Sequence, residues 1–203
     1  MPTPALQPSI SPPLHDAAPA DRQASSTDCE LLERLSASDL DALDLALAKY
    51  WSRLVRYLSG MLPSGEAAED VAQLAFYRVW QHRRELDVAG SLRGYLYKVA
   101  RNIALSERRR VLAFERAAAT MQLEQNRTVS IELRDDDELD ATLRQALRAL
   151  PKRRREILLL HAVHDLSYKE IASMLDIAPQ TVANQCSAAI ASLRQALPAK
   201  PMV

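Results

Sequence analysis

The chain has 203 residues with 26 basic and 26 acidic side chains, so its formal net charge is zero. Hydrophobic residues make up 48% of it, but only 5% are aromatic and 4 are glycine, which favours small helical domains over a β-sheet protein. No apolar run approaches the roughly 20 residues of a transmembrane helix, and the N-terminus lacks the basic start and apolar core of a secretory signal.

The chain begins with a segment that carries little periodicity. Residues 1–30 hold much of the proline, together with alanine, and have a net charge of −3. This composition buries too little apolar surface to offset the entropy of ordering, so we predict a disordered tail. Helical periodicity begins near Leu31, and the first apolar face is marked by Leu40, Leu43, Leu47 and Leu54 and continues through Tyr57 and Leu58. The sequence Pro63-Ser64-Gly65 ends this helical segment.

Two more helices are predicted in the N-terminal half. The first runs from Glu66 to about Arg84, and Ser91 caps the next one. At 100° per residue, one face of that capped helix points to the core and carries Leu92, Leu96, Val99 and Ile103. The opposite face carries Tyr97, Lys98, Arg101, Arg108 and Arg109, with Tyr95 and Asn102 at its edge.

The basic face of this helix is a candidate nucleic-acid surface. Residues 90–112 contain six basic residues and one acid, Glu107, and residues 31–112 have a net charge of +3. A solvated face of an ordinary helix would usually mix charges of both signs. The excess of one sign, with aromatic rings among the cations, therefore favours contact with nucleic acid.

An acidic segment separates the N-terminal half from a second basic body. Residues 113–140 have a net charge of −5 and are predicted to form a linker, whereas residues 141–203 have a net charge of +5. A helix from Ala141 to Ala149 and a second from Arg153 to His164 are predicted to begin the C-terminal domain, 141–198. Residues 199–203 are a short tail.

The end of that domain is typical of a helix-turn-helix. Residues 166–186 read LSYKEIASMLDIAPQTVANQC, in which Ser167 and Glu170 form a capping box. Asp176-Ile177-Ala178 makes the turn, and Pro179 suits the first position of a second helix. An ordinary helical hairpin in a bundle is the plain alternative. DNA binding is favoured because polar side chains lie outward near the tip of the second helix, where bases are read: Gln180, Thr181, Asn184 and Gln185.

Three blocks in a fixed order carry a resemblance to a known family. They are DVAQLAFYRVWQHRREL at 70–86, SLRGYLYKVARNIALSERRR at 91–110, and LPKRRREILLLHAVHDLSYKEIASMLDIAPQTVANQ at 150–185. Together they resemble the extracytoplasmic-function sigma factors of the sigma-70 superfamily, over roughly residues 35–112 and 141–197. The resemblance implies an all-α protein with a sigma region 2 bundle (31–112) and a sigma region 4 helix-turn-helix (141–198), joined by a flexible acidic linker.

The resemblance also implies roles for particular residues. The first block is similar to the helix that docks on core RNA polymerase, with contacts from Asp70, Gln73 and Leu74; the family often has an acid where Leu74 stands. The second block is similar to the segment that captures the single-stranded −10 element. Its implied DNA contacts are Arg93, Tyr95, Tyr97, Lys98, Arg101, Asn102, Arg108 and Arg109, and the loop from Asp87 to Gly90 would help to hold a flipped base.

The third block is similar to the domain that reads the −35 element, but it departs from the usual pattern. Positions 183–192 carry no basic residue, so base reading would fall to Gln180, Thr181, Asn184 and Gln185. Phosphate contacts would come from Lys152, Arg153, Arg154, Arg155, Tyr168, Lys169 and Arg194. Weak affinity for duplex DNA in the free protein is the expected consequence.

The function implied is that of an alternative sigma factor. It would bind core RNA polymerase, direct initiation at promoter DNA through the −35 and −10 elements, and be held by an anti-sigma factor. The resemblance implies a cytoplasmic protein with no cofactor and no membrane insertion. Because the basic domains attract an acidic linker, we expect the free protein to be compact, with its DNA-binding faces partly masked.

Other classes of function are less well supported. The four glycines form no phosphate-binding loop, and His161 and His164 lack the further ligands of a metal site. Cys29 and Cys186 lie far apart, so neither a disulfide nor a metal pair is expected. The serious alternative is a two-domain regulator that binds duplex operators without core polymerase. A protein-only adaptor that keeps the docking block and has lost DNA reading is a third possibility.

Overall fold

The protein consists of helices packed in two bundles. A computed structural model describes residues 19–87, 90–118 and 141–197, and no strand occurs in these ranges. The N-terminal bundle comprises α1 (Pro19–Ser36), α2 (Leu40–Ser59), α3 (Gly65–Gln81) and α4 (Leu92–Ala118), with a 3-10 turn at Arg83–Glu85. The C-terminal bundle comprises α5 (Ala141–Ala149), α6 (Lys152–Ala162), α7 (Tyr168–Leu175) and α8 (Pro179–Ala196). The prediction of an all-α protein is confirmed.

Helix α1 corrects the predicted extent of the disordered tail. The helix begins at Pro19, so residues 19–30 of the predicted tail belong to it. Its C-terminal half buries Leu31, Leu32 and Leu35 in the bundle, and the Asp28 carboxylate is buried as well. Apolar residues late in the helix stabilise its poorly periodic beginning, which is a tertiary effect that local composition does not report. Residues 1–18 of the predicted tail lie outside the described residues.

The buried face of α2 differs from the predicted leucine face. Leu40 is 64% exposed, and Leu43 and Leu47 are only partly buried. The buried positions are Ala42, Ala46, Tyr50, Leu54, Tyr57 and Leu58, so the predicted face is confirmed in the second half of α2 but not at its first three leucines. Leucines seven residues apart drift around a straight helix by about 20° per heptad. The packed face therefore consists of small alanines at one end of α2 and of tyrosines and leucines at the other.

Helices α3 and α4 largely follow the predictions. The Ser64 hydroxyl accepts a hydrogen bond from the Ala67 amide at 3.1 Å, and the Ser91 hydroxyl accepts one from the Gly94 amide at 3.0 Å. The predicted core residues Leu92, Leu96 and Ile103 are buried, whereas Val99 is half-buried. Helix α4 continues to Ala118, into the segment predicted as linker. Residues 119–140 of that segment, and the tail 199–203, lie outside the described residues.

The helix-turn-helix has the predicted local structure. The Ser167 and Glu170 capping box is complete, and Asp176 takes the left-handed conformation (φ 54°) that ends α7. Pro179 occupies the first turn of α8, whose buried side includes Val182, Cys186 and Ala189. Ile190, predicted to share that side, is partly exposed. The turn therefore rests on one capping box, one left-handed residue and one proline.

The two bundles pack against each other, mainly through α4 and α7. Their contact joins Arg93, Tyr97 and Arg101 of α4 to three residues of the C-terminal bundle, namely Glu156, His164 and Glu170. We call this set the inter-bundle contact. Within residues 19–87, 90–118 and 141–197, none of the helices combines the length and apolar character needed to cross a membrane.

We expect Leu96→Ala to destabilise the N-terminal bundle by about 2–5 kcal/mol, because it truncates a buried aliphatic side chain and leaves a cavity. Leu96 is fully buried, whereas the neighbouring Tyr95 is 38% exposed. Tyr95→Ala is therefore the matched control and should change the free energy of unfolding by less than about 0.5 kcal/mol. Urea denaturation followed by circular dichroism measures both. Equal losses would show that the face of α4 assigned to the core is wrong.

Candidate nucleic-acid interface

Helix α3 presents an exposed face that contains the predicted polymerase contacts. Asp70, Gln73 and Leu74 lie on it together, because they are spaced three and four residues apart. Leu74 is 38% exposed and Tyr77, on the same face, is 56% exposed. The sequence reasoning missed Tyr77, although its position three residues after Leu74 was the available signal. The face combines acidic, amide and apolar groups, which suits a protein partner.

The predicted DNA-binding residues of α4 fall into two groups. Tyr95, Asn102 and Arg109 are exposed, and Lys98 and Arg108 are half-buried. Arg93, Tyr97 and Arg101 instead take part in the inter-bundle contact. Helix α4 therefore offers one open basic face and one face that the C-terminal bundle covers.

Arg93 makes the closest polar contact between the bundles. Its Nη2 lies 2.8 Å and its Nε 3.1 Å from the two oxygens of the Glu170 carboxylate, which gives a bidentate pair. The Ser91 hydroxyl donates to the same carboxylate. Burial alone would raise the pKa of Glu170, but the hydrogen bonds from Arg93 and Ser91 hold this pKa below its usual range. Glu170 is therefore ionised in the inter-bundle contact.

A second carboxylate lies beneath this pair on the N-terminal side. Asp28 of α1 accepts a hydrogen bond from the Arg93 amide at 3.2 Å, and the Ser91 hydroxyl oxygen lies 3.2 Å from the same carboxylate. Tyr50 also donates to it, and the Lys49 ammonium lies 3.1 Å away. Asp28 thus caps the start of α4 from another helix. Sequence reasoning missed it because no local motif marks a cap that comes from 63 residues away.

Arg101 forms the second charged pair between the bundles. Its Nε lies 3.2 Å from the carboxylate of Glu156, which is fully buried. Arg153 of the C-terminal bundle donates to the other oxygen of the same carboxylate, also at 3.2 Å. One buried carboxylate is therefore shared by two guanidinium groups, one from each bundle. Because two guanidinium groups compensate its charge, the Glu156 carboxylate tolerates its burial.

An aromatic cluster fills the space between the charged pairs. Tyr97, predicted as an exposed stacking surface, is 1% exposed, so its predicted exposure is wrong. Its ring lies 5.2 Å from the Tyr57 ring and 5.7 Å from the His164 ring, and its hydroxyl lies 3.3 Å from His164 Nδ1. Tyr97 therefore lies between Tyr57 of its own bundle and His164 of the C-terminal bundle, and both rings cover it.

His164 is held in its neutral form by this cluster. Burial is the largest cause, and the guanidinium groups of Arg56 and Arg53 add to it, so the pKa of His164 falls to about 4. Asp165 opposes the shift but lies toward solvent, where it forms a 2.5 Å ion pair with Arg53. His161, the other histidine of this segment, donates from Nδ1 to the Leu166 carbonyl, 2.9 Å away. Among the described residues no group of three potential ligands is arranged to hold a metal ion.

The tip of the helix-turn-helix brings several predicted −35 contacts together. Lys169, Gln180, Thr181 and Asn184 are exposed there. The Gln180 amide donates to the Asn184 side-chain oxygen at 3.0 Å, and Arg154 donates to the Gln185 oxygen at 3.1 Å. The surface is thus lined by amides that already hold one another in place, with cations at its edge.

The remaining predicted −35 contacts either bond to groups within the C-terminal bundle or lie away from the tip of the helix-turn-helix. Arg153 is bonded to Glu156 and to the Leu175 carbonyl, and Arg155 to the Arg148 carbonyl. Tyr168 is half-buried, with its ring 4.7 Å from His161. Arg194 is exposed, but it lies fourteen residues after Gln180, about 21 Å along the helix axis. Lys152 is exposed at the start of α6.

Both bundles match described protein families. The family model for Sigma-70 region 2 matches residues 47–112, which cover most of α2 and continue into α4. The family model for Sigma-70, region 4 matches residues 140–193, which cover α5 to α8. The two matches together span more than half of the chain.

Several known proteins are similar to this chain over most of its length. RNA polymerase sigma-H factor of Pseudomonas aeruginosa is 27% identical over 84% of this chain and 93% of its own length. ECF RNA polymerase sigma factor SigW of Bacillus subtilis is 24% identical over 82% of this chain and 94% of its own. A solved structure, the sigma factor RpoE with the anti-sigma factor NepR from Bartonella quintana, superposes with a TM-score of 0.56 at 21% identity. It covers 75% of this chain and 94% of its own.

The neutral state of His164 predicts an acid-sensitive fold. The pKa of this residue is about 4 in the folded protein and about 6.5 when unfolded, so the unfolded chain binds the extra proton between these values. Its contribution to stability is complete above pH 6.5 and is lost as the pH falls toward 4, by at most about 1.4 kcal/mol per pH unit. Thermal or urea unfolding at pH 7, 6 and 5 measures the slope.

His164→Gln is the variant that checks this assignment. Glutamine keeps a hydrogen-bonding group near Tyr97 but does not titrate. The variant should therefore be less stable at pH 7 and should show a flatter dependence of stability on pH. A slope between pH 6.5 and 5 that is the same in both proteins would contradict the assignment to His164.

Proposed function

We propose roles for the surfaces of this chain from the premise that it belongs to the sigma-70 family of bacterial transcription initiation factors, in the extracytoplasmic-function group. It is an alternative sigma factor, which directs promoter-specific transcription by core RNA polymerase. The observation that carries this conclusion is the match of both bundles, in order, to regions 2 and 4 of the family.

The alternative of a regulator that binds duplex operators without polymerase is not favoured. Such a regulator would account for the helix-turn-helix at 166–186, but not for a region 2 match over residues 47–112. Members of this family are DNA-binding initiation factors rather than known enzymes. Since its work requires core polymerase and the chromosome, we place the protein in the cytoplasm.

The exposed face of α3 is the proposed docking surface for core RNA polymerase. Asp70, Gln73, Leu74 and Tyr77 form it, and none of the four side chains is buried. An apolar residue between polar groups gives a partner both a contact to desolvate and hydrogen bonds to fix its orientation. Leu74, where the family often has an acid, would make this contact more apolar than in its relatives.

Helix α4 is the proposed surface for the −10 element. Capture of an opened strand needs aromatic rings for unstacked bases and cations for phosphates. Tyr95 would supply an exposed ring, Asn102 a base contact, and Lys98, Arg108 and Arg109 the accessible cations. Tyr97, Arg93 and Arg101, which the C-terminal bundle covers, would contact the strand only after the two bundles separate. Part of the predicted flipped-base loop, residues 88–89, lies outside the described residues.

The amide-lined tip of α8 is the proposed reader of the −35 element. Gln180, Asn184 and Gln185 can each make two hydrogen bonds to adenine in the major groove, and Thr181 adds a smaller contact. Lys152, Arg154, Lys169 and Arg194 would contact phosphates, with Arg153, Arg155 and Tyr168 mainly supporting the bundle. We also propose that an anti-sigma factor holds the protein, as in the structure from Bartonella quintana.

Run-off transcription with core RNA polymerase tests the function and the docking surface together. Across a genomic promoter library, added protein should produce transcripts that core enzyme alone does not. Leu74→Ala should weaken binding to core by about tenfold, which corresponds to about 1.4 kcal/mol. Leu45→Ala, which truncates a leucine of α2 that is 49% exposed, should not. Absence of any specific transcript would refute the function, and equal losses in the two variants would refute the docking surface.

Base reading by α8 predicts a change of promoter preference. Asn184→Ala removes an exposed amide at the tip and should cost about 1–3 kcal/mol of discrimination at one base pair of the −35 element. Gln195→Ala removes an exposed amide near the other end of α8 and should leave the preference unchanged. The measurement is transcription from promoters substituted singly across the −35 element. An identical ranking of promoters for wild type and Asn184→Ala would count against this role.

A further inference from the structure

Gln185, one of the proposed base readers of α8, is held by an arginine of another helix. The Nε of Arg154 on α6 donates to the Gln185 side-chain oxygen at 3.1 Å. We propose that Arg154 is a specificity-determining residue of the −35 interface, because it fixes the orientation of the Gln185 amide so that Gln185 reads guanine rather than adenine. The inference rests on the proposed function, since it takes the base-reading role of α8 from there.

The chemistry of this pair determines which end of the amide faces Arg154. A guanidinium group carries N–H donors and no acceptor, and a side-chain amide nitrogen donates but does not accept. The oxygen is therefore the atom through which the Gln185 amide bonds to Arg154. Turning the amide over would bring two donors together and break the bond. The charge of the guanidinium makes this bond stronger than one between two neutral groups.

The position of the pair also restricts its movement. Gln185 is half-buried and directly precedes Cys186, which is buried in the core face of α8. Arg154 is half-buried as well, and the two helices pack against each other. The neighbouring Arg153 and Arg155 bond to other groups of the C-terminal bundle. Arg154 is therefore the member of this arginine run that contacts a proposed base reader.

An amide held in this orientation presents its N–H groups to the DNA. Guanine offers two neighbouring acceptors in the major groove, N7 and O6, whereas adenine offers N7 beside the N6 amino donor. An unrestrained glutamine matches adenine with its oxygen and one N–H. The Gln185 oxygen keeps a second lone pair, but an adenine amino group bonded there would lie beside the guanidinium cation, and the two positive groups repel each other. The fixed amide therefore matches guanine.

The other amide pair at the tip has no such fixed orientation. The Gln180 amide donates to the Asn184 oxygen at 3.0 Å, and both side chains are exposed. Each amide can donate or accept, so the hydrogen bond forms again in the opposite sense when both turn over. Gln180 and Asn184 can thus adapt to the base they meet. They provide an internal reference, since the preference they confer does not depend on Arg154.

Arg154 keeps further donors for the DNA backbone. Its Nε is used by Gln185, and its Nη groups can still donate to a phosphate, as proposed above. A residue that only contacts phosphate weakens binding to all sequences alike. Loss of Arg154 should instead do two things, namely lower transcription from all promoters and change the base preference at one position. The second effect distinguishes a specificity role from a phosphate contact.

The experiment uses the full chain with core RNA polymerase and a promoter library randomised across the −35 element. Sequencing of the transcripts gives the base preference at each position. Gln185→Ala identifies the position that Gln185 reads, as the one at which the preference is lost. Arg154→Met then removes the donor and keeps an unbranched side chain. The matched control is Lys152→Met, which removes an exposed cation at the start of the same helix.

We expect the wild type to prefer guanine over adenine about tenfold at the position read by Gln185. Arg154→Met should abolish this preference, because the freed amide can present its oxygen. Lys152→Met should lower transcription across the library and keep the preference. Arg154→Glu is a second variant, in which a carboxylate accepts from the amide NH2 group and turns the oxygen outward, so adenine should be favoured. Circular dichroism should show intact helices in every variant.

The outcomes that overturn the inference differ from those that overturn the proposed function. Specific transcripts with the same guanine-to-adenine ratio in wild type, Arg154→Met and Arg154→Glu would refute the role of Arg154. A wild type that prefers adenine at this position would refute the fixed orientation, and an equal change in Lys152→Met would show an effect of charge alone. A wild type without any preference in the −35 element, or a Gln185→Ala variant that alters none, would refute base reading by α8 or by Gln185, and the inference would fall with it.

Discussion

The pairing of Arg93 with Glu170 is the contact through which most of the molecule is connected. Glu170 completes the capping box of α7, and so helps to begin the helix-turn-helix. The same carboxylate binds the guanidinium of α4, whose backbone Asp28 of α1 holds from below. One buried cluster thus joins the first helix of the chain, the proposed −10 helix and the proposed −35 domain. Removing one member would leave a buried charge without its partner, which is costly.

The inter-bundle contact is largely polar, in contrast to an obligate protein–protein interface. Obligate interfaces resemble the apolar interior of a domain. Here two ion pairs flank a ring cluster of Tyr57, Tyr97 and His164, and a third pair, Arg53 with Asp165, lies at the solvent edge. Contacts of this kind specify orientation strongly while adding modest net stability. They suit two bundles that must meet other partners during the working cycle of the protein.

Local patterns predicted the parts of the fold that depend on local physics. The capping box, the turn at Asp176-Ile177-Ala178 and Pro179 act within a few residues, and they were enough to predict the helix-turn-helix from the sequence. The core face of α4 followed from helical spacing alone. Helical spacing predicted an exposed Tyr97, whereas its ring packs between Tyr57 of its own bundle and His164. The spacing could not report that another bundle covers this residue, because nothing near Tyr97 in the sequence encodes His164 or Glu170.

The same limit accounts for α1 and α2. Residues 19–30 lack periodicity, and the burial of Asp28 depends on Tyr50, Ser91 and Arg93, which lie in other helices. On α2 the leucines dominate any hydrophobicity pattern, yet the packed face holds two alanines and two tyrosines beside only two leucines, Leu54 and Leu58. Small side chains allow close approach and large rings fill volume, and a scale of residue hydrophobicity captures neither. Contacts with helices distant in sequence therefore determine which residues of α1 and α2 are buried.

The separation of the paired residues along the chain has a consequence for biosynthesis. Glu156 follows Arg101 by 55 residues and Glu170 follows Arg93 by 77, whereas each bundle is held by contacts between helices close in sequence. Local contacts form quickly and distant ones late, and a domain near the N-terminus folds first as the chain emerges from the ribosome. The N-terminal bundle therefore leaves the ribosome with its basic face uncovered, in surroundings rich in RNA. The C-terminal bundle can cover this face only after its own helices have been translated.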